Sequence, residues 1–365
     1  MHASEMGAIA AQHPPPGCYD DSDGPNKEEN AMPDTPRQAA ERLFRDAIIW
    51  DDHAGFGPDP GVDLNKLRIW KEAGVHYLSV NVGYDVMDWR DSIKSLAAFR
   101  RWILASDGYD LVSSVDGIRE ARKAGNLAVS FDLEGMNALD GSLDMVEMYH
   151  HLGVRQMLVA YNRNNLAGGG CHDEDIRLTA FGRAVIGEMN RLGMIVDCSH
   201  TSYSSSMEAM EISTAPCIFS HSNARVLRDH ERNIRDDQAK ACAATGGVVG
   251  IVGIGIFLGD NDIRTTTMAD HVDHYVNLLG PDHVGIGLDY AFESDDDGGE
   301  GLGSVLERNT DYWPKAQYDC PDITCAAPGQ ILELAEELFR RQYSERNVRA
   351  IMGGNFMRVA EAVWK

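Results

Sequence analysis

Two patterns of apolar residues alternate along the chain. Short runs are apolar at nearly every position, and the longer stretches between them place an apolar residue every three or four positions. The short runs fall at 47–51, 77–82, 127–133, 156–161, 194–199, 217–220, 248–252 and 284–288. Runs of this length without polar alternation predict strands covered on both faces. The stretches Trp89–Ala105, Val115–Ala124, Leu143–Leu152, Ala180–Leu192, Ser204–Ile212 and Met268–Leu279 carry the helical period. A strand that must cross a helix before the next strand lies parallel to it. Eight such units predict an α/β protein, a closed (β/α)8 TIM barrel of about 250 residues plus insertions. An open doubly wound sheet is the alternative. It calls for a glycine-rich phosphate turn after the first strand, and Asp51-Asp52-His53-Ala54-Gly55-Phe56 is not one.

The pattern fails at two places. Residues 1–36 contain Pro14-Pro15-Pro16-Gly17 and Asp20-Asp21-Ser22-Asp23-Gly24 with almost no apolar period, which predicts a disordered or loosely packed arm. The folded domain, 37–365, is expected to open with a helix capped near Thr35, with a proline in its first turn. An acidic insertion near 293–328 follows the eighth strand, and C-terminal helices at 330–341, 345–352 and 356–364 close the chain.

Charge narrows the partners. Asp plus Glu number 57 against 33 Lys plus Arg, a formal net charge of −24. Such a surface repels phosphate backbones and anionic membranes, so neither nucleic acid nor membrane is expected as a partner. The chain has no apolar run of 18 residues and no basic-then-apolar leader at its start, so a cytoplasmic location is expected. The cysteines are odd in number, seven, and read as reduced residues, Cys320 and Cys325 as spare loop thiols.

In a barrel of this kind chemistry stands at the C-terminal ends of the strands. Asp51 and His53 follow the first run, Glu134 the third, Tyr161 the fourth, His200 the fifth, His221 the sixth and Asp289 the eighth. Histidines and carboxylates converging on one mouth form a donor set for a zinc-like ion, and an open position on such an ion makes a hydrolytic site. Cys171-His172-Asp173-Glu174 reads as a substrate-side loop, and His271 and His274 as a solvated helix face.

Six segments carry a resemblance: Ser130 to Gly135, Ile195 to His200, Ile218 to Arg225, Glu231 to Asp237, His283 to Tyr290 and Gly353 to Val359. In this order they resemble the renal (membrane) dipeptidase family, peptidase family M19 of the amidohydrolase superfamily. The resemblance implies a (β/α)8 barrel with a two-zinc centre that cleaves dipeptides by metal-activated hydroxide. It implies Glu134 as the bridging carboxylate, His200 and His221 on the second metal, and His53 on the first. Asp289 matches the proton shuttle, and Arg232 the arginine that binds the substrate's carboxylate. A homodimer is a further implication.

Two positions depart from the family pattern. Gly55 stands where the family has an aspartate ligand of the first metal, so one zinc is expected, at Glu134, His200 and His221, with the site at His53 weak or empty. Tyr161 stands where the family often has a histidine that polarises the scissile carbonyl; a phenol can donate there too, or form an aromatic wall. Gly253 to Ile256 also replace a more polar stretch, which alters the dipeptide pocket. Rival readings are a hydrolase of another small amide or lactone, and a barrel that binds a small molecule without catalysis.

Overall fold

A computed structural model describes residues 34–55, 57–291, 302–320 and 322–365. The expected arm up to residue 33 and the acidic run 292–301 lie outside the described residues. The first helix, Pro36–Asp46, begins as its sequence requires. The Thr35 side chain accepts from the Gln38 amide, Gln38 accepts from the Thr35 amide, and Pro36 occupies the first turn.

The strands are β1 (Trp50–Ala54), β2 (Tyr77–Tyr84), β3 (Tyr109–Leu111), β4 (Leu127–Glu134), β5 (Val154–Leu158), β6 (Ile195–Asp197), β7 (Cys217–Ile218), β8 (Val249–Ile251) and β9 (Val284–Ile286). All ladders are parallel and run in the order β1-β2-β4-β5-β6-β7, with β8 paired to β9. A bridge from Phe219 to Val249 joins β7 to β8. The ring closes from β9 to β1, where the Asp289 amide donates to the His53 carbonyl at 3.1 Å and the Leu288 amide donates to Asp51 Oδ1 at 2.8 Å. The result is the expected (β/α)8 barrel.

The unforeseen strand is β3, a spur on the first half of β4, whose second half pairs with β5. The first run was misplaced by three residues. All five residues of β1 are buried, but three of them are Asp51, Asp52 and His53, so burial on both faces does not show there as an apolar run.

The far side of the ring is tightly built. A Cβ on Gly247 would lie 1.7 Å from the Cys217 carbonyl oxygen, and one on Gly250 or Gly287 would lie 1.9 or 2.1 Å from that of Ser220. Only glycine lets these backbones approach so closely. Cys171, Cys198, Cys217, Cys242 and Cys320 are free thiols. His271 corrects the solvated-face expectation. It is 1% exposed, because its helix, Thr265–Leu279, packs under two loops: its Nδ1 accepts from the Ala224 amide and its Nε2 faces the Leu258 carbonyl. His274 instead meets Asp236 at 2.8 Å.

Candidate active site

The strand ends bring the histidines around a single oxygen. Glu134 Oε1, at the end of β4, lies 3.4 Å from His53 Nε2, 3.3 Å from His200 Nε2 and 3.5 Å from His221 Nε2. His200 and His221 face each other at 3.0 Å through their Nε2 atoms, and the His53 and His221 rings stack at 4.1 Å. Among the described residues, His53, Glu134 and His221 form the group whose donor atoms all lie within 4.8 Å of one another. His53, set apart by the sequence reading, is therefore inside the cluster.

Neighbours that the sequence reading missed set the ring orientations. Asn162 donates from Nδ2 to the Tyr312 carbonyl, so its Oδ1 is the atom facing His200 Nδ1 at 2.6 Å. The proton of His200 then sits on Nδ1, and Nε2 turns a lone pair towards Glu134 and His221. Ser220 Oγ holds His221 Nδ1 at 2.6 Å, and Asp132 Oδ2 lies 3.4 Å from His53 Nδ1 while accepting from Ser79. A polar residue beside a strand end has no periodic signature. Asp132 was visible only as part of a family motif.

The donor set fits a cation. Both ring nitrogens of His53 are buried without a hydrogen-bond partner among the described residues. A lone-pair nitrogen of His200 facing a carboxylate oxygen at 3.3 Å is two acceptors opposed, an arrangement that calls for a shared positive charge. Burial, with the charges of Arg232 and His53, holds His200 and His221 well below the ordinary histidine range. Neutral imidazole is the form that ligates metal. Burial also pushes Glu134 upward, against the pull of His53. For His53 burial acts downward, but the carboxylates of Asp132, Glu134 and Asp289 outweigh it and the net shift is upward.

Asp289 follows β9 with a left-handed φ of 56°, and its Oδ1 lies 3.6 Å from His53 Nε2. Burial raises its pKa. The carboxylate occupies the room beside Gly55, where a Cβ would fall 1.9 Å from Asp289 Oδ1. Asn162 and His200 also have left-handed φ, 58° and 60°. Three side-chain-bearing residues in a conformation that usually costs energy thus meet at one site. Asp51 is not among the converging groups, since Trp70 and Leu288 consume its oxygens.

Tyr161 stacks on His200 at 4.2 Å and meets Trp313 at 5.8 Å, so it forms an aromatic wall. Its hydroxyl has no hydrogen-bond partner among the described residues, and burial, then the charge of Glu134, holds it protonated. Arg232 is 2% exposed. It donates from Nη2 to the His221 carbonyl at 2.9 Å and stands over the Phe257 ring, while its Nε has no partner among the described residues. With His200, Cys171, Asp173 and Glu231 it lines a cavity of about 270 Å³.

A family model described as membrane dipeptidase, peptidase family M19, matches residues 88–308. An uncharacterized dipeptidase of Schizosaccharomyces pombe is 32% identical over 327 residues, covering 83% of this chain and 71% of that protein. Dipeptidase tcpJ of Claviceps purpurea is 31% identical over 75% of this chain, which spans 60% of that relative's length. Among solved structures, an amidohydrolase from Pseudomonas aeruginosa superimposes with a TM-score of 0.80 at 27% identity, covering 89% of this chain and 99% of that one. A metallo peptidase from Rhodobacter sphaeroides, liganded with a phosphinate mimic of L-Ala-D-Ala, shares the fold with a TM-score of 0.70 at 19% identity, over 87% of this chain and all of that one.

Proposed function

The chain belongs to the membrane dipeptidase family, peptidase family M19, and from that premise we propose that it is a metal-dependent hydrolase cleaving the amide bond of a dipeptide or a similarly small substrate with a free carboxylate. The observation that carries this reading is Arg232. Its guanidinium is buried, has no carboxylate partner among the described residues, and shares a cavity with His200. Leaving a buried charge uncompensated costs about 3–5 kcal/mol. A substrate carboxylate supplies the missing charge in the paired geometry that guanidinium favours. The cavity of about 270 Å³ suits a small ligand.

The metal in this reading is zinc, one ion per chain. His53, Glu134, His200 and His221 would hold it. Gly55 offers no donor atom, and Asp289 already fills the space beside it. When bound, such an ion supplies a Lewis acid that polarises a carbonyl and lowers the pKa of water. The protein's own residues do the rest. Arg232 fixes the carboxylate end of the substrate, which orients the amide. Asp289 takes the proton of the attacking water at its carboxylate and delivers it to the leaving nitrogen. The free hydroxyl of Tyr161 donates to the carbonyl oxygen as negative charge develops there.

The test compares a dipeptide with the same dipeptide amidated at its C-terminus. The free acid should be the better substrate. Arg232→Met should raise its KM by about 10–100-fold, the loss of one charge-assisted contact, and leave the amide unaffected. Equal cleavage of acid and amide by the unaltered protein would refute the role of Arg232. Turnover of lactones or cyclic amides without turnover of dipeptides would replace the substrate class. Silence on all of them with zinc or manganese in excess would make the barrel a binding protein.

A further inference from the structure

At the opposite end of the barrel lies a second cavity, of about 880 Å³. Ala47 and Ile48, just before β1, and His76, just before β2, line it, so it opens at the N-terminal ends of the strands. Among the described residues, its walls carry Arg45, Arg119, Arg122, Lys123 and Arg349 against one carboxylate, Asp46. This is the reverse of the chain as a whole, whose net charge is −24.

Helix ends account for four of these five cations separately. Arg45, Arg122, Lys123 and Arg349 stand in the last turns of the helices Pro36–Asp46, Val115–Ala124 and Glu345–Arg349, where carbonyl dipoles favour positive charge. They do not account for three such ends converging on one cavity. Some of the charge is already balanced: Arg119 pairs with Asp116 and Glu361, and Arg349 with Glu345. Arg122 spends donors on the carbonyls of Arg45 and Asp46. The Arg45 and Lys123 side chains have no ionic partner among the described residues.

His76 adds a neutral donor. Its Nδ1 accepts from the Ile49 amide at 3.1 Å, so the ring proton is on Nε2. Phe44, Ala47 and Met357 add apolar wall to the same cavity. Cationic and apolar lining together match a ligand with two parts: a multiply charged anion and a flat or apolar body.

We propose that this cavity binds a phosphorylated small molecule with an aromatic or apolar body, of the size and charge of a nucleotide. The site is separate from the hydrolytic one and does not rest on the reading of Arg232. Phosphate is the better match because its two charges engage several cations at once, where a carboxylate satisfies one guanidinium.

The experiment is isothermal titration calorimetry of the full chain with ATP, AMP, inorganic phosphate and adenosine. ATP and AMP should bind saturably at one site per chain, more tightly than inorganic phosphate, and adenosine should give no binding. Arg45→Glu combined with Lys123→Glu should weaken the nucleotides by at least about tenfold. These two side chains are exposed and lie away from the hydrolytic site, so hydrolysis should stay as it was, and the melting temperature should fall only by the small cost of reversing charge at two helix ends. Absence of saturable heat with all the anions would overturn the proposal, as would nucleotide binding that survives the double substitution. Inorganic phosphate binding as tightly as AMP would overturn the assignment of the apolar body.

Discussion

Replacing Gly55 by alanine tests the placement of Asp289 with a single methyl group. A Cβ at Gly55 meets Asp289 Oδ1 at 1.9 Å, its Cγ at 2.9 Å and its carbonyl oxygen at 3.0 Å, whereas ordinary contact begins at 3.4 Å. The carboxylate oxygen must therefore withdraw by about 1.5 Å, from 1.9 to 3.4 Å. The backbone of Asp289 cannot follow freely, because its amide is bonded to the His53 carbonyl. The side chain turns instead and carries Oδ1 out of its 3.6 Å approach to His53 Nε2. Misplacing a reacting group by about 1 Å costs on the order of 100-fold in rate, and overpacking of this size costs about 1–3 kcal/mol of stability. The expected outcome is kcat/KM on a dipeptide lower by about 100-fold, close to the level of Asp289→Asn, with cooperative unfolding retained. Zinc content by elemental analysis should be unchanged, since the three nearest atoms to the new methyl all belong to Asp289. Full activity in Gly55→Ala would refute the reasoning, for the carboxylate would then have no need of its present position.

Asn162→Ala removes the acceptor that fixes the His200 tautomer, and chelator competition should show zinc held about 10–100-fold less tightly; unchanged affinity would remove Asn162 from the site. His76 supplies a pH term. Burial first, and Arg122 second, push its pKa from 6.5 down to about 4, so the folded state prefers the neutral ring. The stability it contributes is full above pH 6.5 and is lost as pH falls towards 4, a loss of ~2 kcal/mol after allowance for partial exposure. In urea unfolding at pH 7 and pH 4.5, His76→Asn, which keeps an acceptor for the Ile49 amide, should lose less stability than the parent protein; equal losses would contradict this.

The barrel was legible because most of its strands are buried on both faces, and an unbroken apolar run is the direct imprint of that burial. The imprint fails where the interior is polar. In β1 the residues that matter chemically, His53 among them, replace the apolar ones, and the predicted strand stopped at Asp51. The spur β3 is three partly exposed residues and leaves no run. Glu134, His200, His221 and Asp289 were legible because each ends an apolar run. Their supports, Asn162, Ser220 and Asp132, act across 38, 1 and 79 positions of sequence, and no local pattern encodes the longer of these distances. His271 was misread for the same reason: helical spacing tells which residues share a face, but not what covers that face.

The seam between β9 and β1 joins architecture to chemistry. Its closing hydrogen bond runs from the Asp289 amide to the His53 carbonyl, so two residues of the site are also the last stitch of the ring. Proteins open most often by partial excursions that leave most of the core intact. An excursion at this seam separates Asp289 from His53 while the other ladders stand. A molecule with an unsealed barrel thus has no assembled centre. Competence arrives only with completion, and the fold itself serves as the licence.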